Sequence, residues 1–357
     1  MKKRTLITGA GGYLGHRIAE KLLEATDERL VLWSRPGATA SIAQAFRRYG
    51  DRVLLCSGDL ADDEPFAQIE ASSISTILHA AAVTRFDIDA DTARRINVDG
   101  TRKLLAFAEG CTSLDTFAHV SSIYATGLSS GAIRETPADQ PREFANEYER
   151  SKYHAEAVLL SGAPAFRRQI FRVATVLCDD DAGKVVQHNV VHRLLRLLHA
   201  GLLPIVPGYP TTPCYLITGE LVAEACAVLL GRGEDRAIFH VAPAQASSCT
   251  MQELLDWSHE SLCCDDGFRR RRVLKPLFAD APTFDYLART ASTFSADVGP
   301  MISVVRPFAR QLFVHKEVHN DRLVAAWPGF RTAPMRELIH RTCEFLVRSA
   351  WTTEERR

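Results

Sequence analysis

Residues 5–8, Thr-Leu-Ile-Thr, read as a short buried strand and run into a cluster of glycines. From residue 13 the pattern changes to a helical period, with Leu14, Ile18, Leu22 and Leu23 sharing one face through residue 25. The alternation continues. Strands are predicted at 30–33, 53–56, 76–79, 116–121 and 168–173, and helices at 41–49, 92–109 and 146–160. Strands separated by helices at this spacing imply right-handed βαβ units and a parallel sheet covered on both faces. The expected fold is α/β, a Rossmann-type doubly wound parallel sheet.

The rhythm stops after about Cys178. Pro204, Pro207, Pro210 and Pro213 then fall within ten residues, and runs at 215–217 and 238–241 read as returning edge strands. This pattern assigns residues 1–177 and 213–242 to the Rossmann-type domain. Residues 178–212 and 243–357 are assigned to a smaller, mostly C-terminal substrate-binding lobe.

The 357 residues are 46% hydrophobic, enough for a large core and more than one simple domain needs. Lys+Arg and Asp+Glu are both 43, so the formal net charge is zero and no nucleic-acid partner is expected. The nine cysteines have no C-x-x-C spacing and read as reduced thiols of a cytoplasmic protein. The longest uncharged stretch, 200–219, is interrupted by prolines, so no membrane span is expected. The residues suggest no metal site.

The first loop, Thr8-Gly9-Ala10-Gly11-Gly12-Tyr13-Leu14-Gly15, has glycines spaced G-x-x-G-x-x-G between a strand and a helix. In a dinucleotide loop one glycine makes the turn, one admits the pyrophosphate and one lets helix and strand pack closely. The helix N-terminus then offers its free N–H groups to the phosphate. Gly9, Gly12, Tyr13, Leu14 and Gly15 are therefore expected to bind the cofactor. Arg35 follows the second strand, where an acidic residue would favour NAD. An arginine there suits a 2′-phosphate, so NADP(H) is the expected cofactor. Asp59 and Leu60 follow the third strand, where a carboxylate suits the adenine amino group. Ala80 and Ala81 follow the fourth, where small residues let the chain pass close to the cofactor. His79 reads as a packed strand-end histidine.

Tyr148 and Lys152 lie four residues apart in a predicted helix, on one face. A phenol near pKa 10 is a poor acid or base at neutral pH, and a neighbouring ammonium is expected to lower it. Ser121 and Ser122 end the fifth strand, at the edge where doubly wound sheets bind ligands. Strand alternation sends them opposite ways, so one of the two hydroxyls is expected to meet the substrate oxygen.

Together these motifs resemble the extended short-chain dehydrogenases/reductases over about residues 4–183. The resemblance implies that Tyr148 is the general acid/base, Lys152 supports it, Ser122 orients the carbonyl and Asn97 lines the cofactor site. It also implies pairing through the tyrosine helix, hence a homodimer. Within that superfamily the chain is most similar to the fatty acyl-CoA reductase and thioester reductase branch. The similarity lies in His79–Asp87, Asn146–Lys152, Arg172–Gly183 and the pair Val222-Ala223. It departs from that branch at Val173, Cys178 and Ala182, where the branch has Pro, Gly and Thr. The resemblance implies NADPH-dependent reduction of a coenzyme A- or carrier-bound acyl thioester to an aldehyde or alcohol. A simple carbonyl reductase or hydroxyl dehydrogenase on a small ketone or aldehyde remains an alternative with the same triad. A sugar-nucleotide epimerase or dehydratase is disfavoured by Arg35 and by Thr175-Val-Leu-Cys-Asp, where those relatives carry an Asn-x-Tyr-Gly-Pro-like segment. The retained triad argues against a non-catalytic NADP(H) sensor. The run Arg269-Arg270-Arg271-Arg272 reads as a solvated basic surface, with coenzyme A phosphates as its competing partner.

Overall fold

The computed structural model describes residues 3–139, 143–290 and 298–352, so the outer limits of the expected domains lie outside the described residues. Seven strands form the central sheet: β1 (Arg4–Thr8), β2 (Leu30–Ser34), β3 (Val53–Ser57), β4 (Ile74–His79), β5 (Thr116–Ser122), β6 (Arg167–Val173) and β7 (Ala237–Val241). Their order is β7-β6-β5-β4-β1-β2-β3, with every neighbouring pair parallel. β2, β5 and β7 are buried along their whole length, which is why they read as unbroken runs rather than alternating ones.

Both faces of the sheet are covered. On one face Ile7, Leu32, Leu78, Val120, Phe171 and Phe239 meet α1 (Tyr13–Ala25) and a helix at Gly219–Leu229. On the other, Leu6, Val31, Ile77, Phe117, Ile170 and Ile238 meet α3 (Gly100–Glu109) and α4 (Glu147–Leu160); α2 (Thr39–Phe46) lies on the first face, where its Ile42 and Phe46 join the cluster around α1. The pair Leu6 and Ile7 shows the two-residue period sending neighbours to opposite layers. A separate apolar cluster gathers Leu177, Leu194, Leu198, Leu254, Leu255, Phe308, Leu338 and Leu346, from the chain after β6.

Two predicted elements differ from the structure. Residues 92–109 are not one α-helix: a short helix at Ala90–Ala93 passes through a π-helical turn at Arg94–Asp99 into α3. Such a turn re-aims side chains, here Asn97, and the apolar period does not reveal it. The 215–217 run is a strand, Leu216–Thr218, but it pairs with Thr175–Cys178 outside the main sheet; the 238–241 run is the edge strand β7. A short apolar run does not encode its partner.

The chain reverses its direction of winding at β1, which has β2 on one side and β4 on the other. The loops after β1 and β4 diverge there and open a crevice at the carboxyl ends of the strands.

Candidate active site

The crevice is a cleft of about 550 Å³. Its lining includes Gly9, Gly12, Tyr13, Leu14, Gly15, Ala80, Ser122, Tyr148 and Lys152. Gly9 has φ +75°, and a Cβ on it would sit 2.7 Å from the backbone nitrogen of Ala81. A Cβ on Gly15 would sit 2.3 Å from the carbonyl oxygen of Gly9. The loop is thus glycine-dependent at both ends, for backbone conformation at one and close packing at the other. Gly12 caps α1 without a side-chain hydrogen bond, and no acidic residue of the helix itself occupies its first turn. These features fit the pyrophosphate of a dinucleotide.

Five other expected cofactor residues do not line this cleft. Arg35 is exposed just beyond β2, whose Trp33 carbonyl accepts the N–H of Ala10 from the glycine loop (3.2 Å). Asp59 is half-buried, and its Oδ1 accepts the N–H of Ala61 (2.9 Å). Leu60 is buried against Gly100, and Ala81 donates its N–H to Thr8 Oγ1 (3.3 Å). Asn97 is buried beneath the loop after β4. Its amide donates to the Val83 carbonyl (2.9 Å) and Ser151 Oγ (2.8 Å), and its Oδ1 accepts the Val83 N–H (2.8 Å). It therefore clamps that loop to the helix bearing Tyr148, instead of presenting its amide to the cleft. Tyr13 donates its hydroxyl to Asp179 (2.8 Å), fixing the start of α1 to the segment after β6.

Ser122, Tyr148 and Lys152 converge at the inner end of the cleft. Asn146 caps α4 by accepting the Glu149 N–H (3.0 Å), and this starts the helix one residue before Tyr148. Ser122 and Tyr148 both line this cleft, and Ser122 Oγ accepts the Tyr124 N–H (3.2 Å). Ser121 points elsewhere and donates to Glu156 Oε1 (2.5 Å). Lys152 is buried, and its Nζ donates to the Val120 carbonyl (2.8 Å). Burial pushes the ammonium down to about 8, with the Glu156 carboxylate opposing.

The expected depression of the Tyr148 pKa is reversed. Burial raises the phenol well above its ordinary value, and the neighbouring Ser122 hydroxyl only partly offsets this. Burial disfavours the charged phenolate, and here that outweighs the neighbouring polar groups.

The sequence reading did not single out Glu156, although it extends the spacing Tyr148–Lys152 by another four residues. Its carboxylate is buried and paired with Arg172 of β6 (2.7 Å), which also donates from Nε (3.0 Å). The pair ties α4 to the sheet one turn after Lys152. Breaking it by removing one partner would cost about 3–5 kcal/mol. His79 is buried, with hydrogen bonds to Thr8 (2.7 Å) and Thr101 (3.1 Å), and burial lowers its pKa to about 3. It is a packed strand-end histidine, as expected.

The basic run ends a short exposed helix, Asp266–Arg271. Arg269 pairs with Asp266 (2.5 Å), and Arg271 donates to the His199 carbonyl (2.6 Å). All nine cysteines are free. Among the described residues no helix is long and apolar enough to cross a membrane, and no group of acidic, histidine or cysteine side chains has the arrangement of a metal site.

The family described as Male sterility protein, an NAD-binding family, matches residues 7–226. The chain belongs to this family. It is 29% identical to the Drosophila melanogaster protein named fatty acyl-CoA reductase wat, over 89% of this chain and 72% of that one. Its fold is similar to the terminal R domain of the myxalamid PKS-NRPS biosynthetic pathway (TM-score 0.74, 19% identity, covering 99% of this chain and 93% of that one). It is also similar to the yeast methylglyoxal/isovaleraldehyde reductase Gre2 complexed with NADPH (TM-score 0.66, 18% identity, 98% and 100%). At these identities the structural likeness is one of fold, a Rossmann-type parallel sheet covered by helices on both faces.

Proposed function

We propose that this protein is an NADP(H)-dependent reductase of acyl thioesters, acting through Ser122, Tyr148 and Lys152. The observation that carries the reading is the convergence of these three side chains with the Gly9–Gly15 cradle in one cleft. Its thioester part is supported by the relative named a fatty acyl-CoA reductase and by the likeness to an R domain.

In this reading Gly9, Gly12 and the first turn of α1 hold the pyrophosphate, and Arg35 pairs with the 2′-phosphate. The cofactor supplies a hydride to the thioester carbon. As the carbonyl oxygen gains charge, Ser122 Oγ–H and Tyr148 Oη–H donate to it. The phenol's raised pKa keeps it protonated, and so a donor, at neutral pH. The proton passes to the oxyanion, and the resulting hemithioacetal collapses to aldehyde and thiol. Lys152 lies on the Tyr148 face of α4, where its charge stabilises the phenolate left behind. A second round would take the aldehyde to the alcohol. The remaining readings, residues 178–212 and 243–357 as the substrate-binding lobe, a homodimer and a cytoplasmic location, belong to this proposal.

The test is NADPH consumption with an acyl-coenzyme A and with the matching aldehyde. Turnover of both is expected; turnover of the aldehyde alone would make the protein a carbonyl reductase and sink the thioester reading. In parallel, Tyr148→Phe should cut turnover by roughly 10²–10⁴-fold while NADPH affinity changes little. An unaltered rate in that variant would remove Tyr148 from the mechanism.

A further inference from the structure

A second cavity adjoins the reaction centre, and nothing in the reading so far uses it. Phe86, Tyr124, Thr175 and Val190 line both it and the main cleft, so these residues form its mouth. Phe86 is the hinge of this junction: its ring centroid lies 5.6 Å from that of Tyr148 and 6.4 Å from that of Phe308. Beyond the mouth the wall is apolar. Leu194, Met251, Leu254 and Leu312 line only this cavity, and all four are buried.

The charged residues in the wall are turned toward the protein. Glu149 accepts from the Ala145 N–H (3.0 Å), Asn146 (3.2 Å) and Gln311 (2.8 Å). Lys316 donates to Thr126 Oγ1 (3.2 Å) and to the carbonyls of Gly127 (2.6 Å) and Ser129 (2.8 Å), which uses all three of its protons. Neither needs a charged ligand, and apart from the unpartnered Gln311 Oε1 the wall is mostly apolar.

Its volume is about 80 Å³. That is roughly half of an apolar cavity of about 150 Å³ that accepts benzene, so it takes about three carbons. With the carbonyl carbon and its neighbour at the mouth beside Tyr148, the acyl group held is about five carbons long.

We propose that this cavity is the acyl subsite and that it selects short acyl groups of about five carbons over long fatty chains. The proposal rests on the reductase reading above, and it fixes the class of substrate within it. Leu194, Met251, Leu254 and Leu312 set the length limit, and Phe86 aligns the chain with Tyr148.

The experiment measures kcat/KM for a series of straight-chain acyl-coenzyme A thioesters from acetyl to hexadecanoyl, and for the matching aldehydes. Each methylene that fits should raise kcat/KM about fourfold, the ratio given by about 0.8 kcal/mol per buried CH₂. The expected profile climbs to near pentanoyl and then falls. Leu254→Ala and Leu194→Ala should each move the optimum about two to three carbons longer, the length removed from the wall. The same order of affinities is expected for calorimetric binding of the thioesters to Tyr148→Phe with NADP bound, which needs no turnover. If aldehydes alone react but peak near five carbons, the thioester reading falls and the subsite stands. A profile that is flat or rises to hexadecanoyl, or binding indifferent to chain length, overturns the subsite and leaves the thioester reading intact.

Discussion

Lys152 is held against its own stability, and replacing it with methionine measures by how much. Its side chain is 4% exposed, and burial lowers its pKa from 10.5 to about 8. At 1.36 kcal/mol per tenfold, keeping the ammonium charged in the folded protein costs about 3 kcal/mol. Methionine preserves most of the aliphatic volume and removes the charge. It also loses the hydrogen bond to the Val120 carbonyl, worth about 1 kcal/mol. Lys152→Met is therefore expected to be more stable than the parent by about 2 kcal/mol at pH 7, and inactive. The pH dependence identifies the cause. Below about pH 8 the lysine is charged in both the folded and unfolded states, so the full cost is present. Between about 8 and 10.5 the folded protein sheds the proton first, the parent gains stability with pH, and the advantage of the variant shrinks. Urea unfolding of both proteins at pH 7 and at pH 10 reads this directly. A variant less stable than the parent at pH 7, or one whose advantage is the same at both pH values, would show that desolvation of this ammonium is not a stored cost.

Three further outcomes follow from particular groups. Gly9→Ala places a side chain at φ +75° and 2.7 Å from the Ala81 nitrogen; dinucleotide binding should be lost in a titration, with about 1–2 kcal/mol of backbone strain. Arg35→Ala should weaken NADPH binding roughly tenfold to a hundredfold, the loss of one charge-assisted contact, and leave NADH binding unchanged; equal effects on both would remove Arg35 from the 2′-phosphate. Burial raises the Glu149 carboxyl from 4.5 to about 7. Its contribution is therefore intact below pH 4.5 and is lost as pH rises to about 7, by about 3 kcal/mol. Glu149→Gln should flatten the stability profile between pH 5 and 8, and an unchanged slope would refute this.

The sequence by itself determined the layered α/β sheet, because a buried parallel strand must be an apolar run and its covering helix must carry an apolar stripe. It also located the glycine turn and the pair Tyr148 and Lys152, because each depends on spacing within one local element. The tertiary structure decided the rest. Only there does Asn97 turn inward through a π-helical turn to clamp Val83 and Ser151. Only there does burial overturn the expected acidity of Tyr148, since desolvation depends on what surrounds the phenol from several distant segments. The cavity beside it joins Phe86, Leu194, Leu254 and Phe308, residues up to 222 positions apart. Hydrophobic period records which side of an element faces inward, but not which other segment it will meet there.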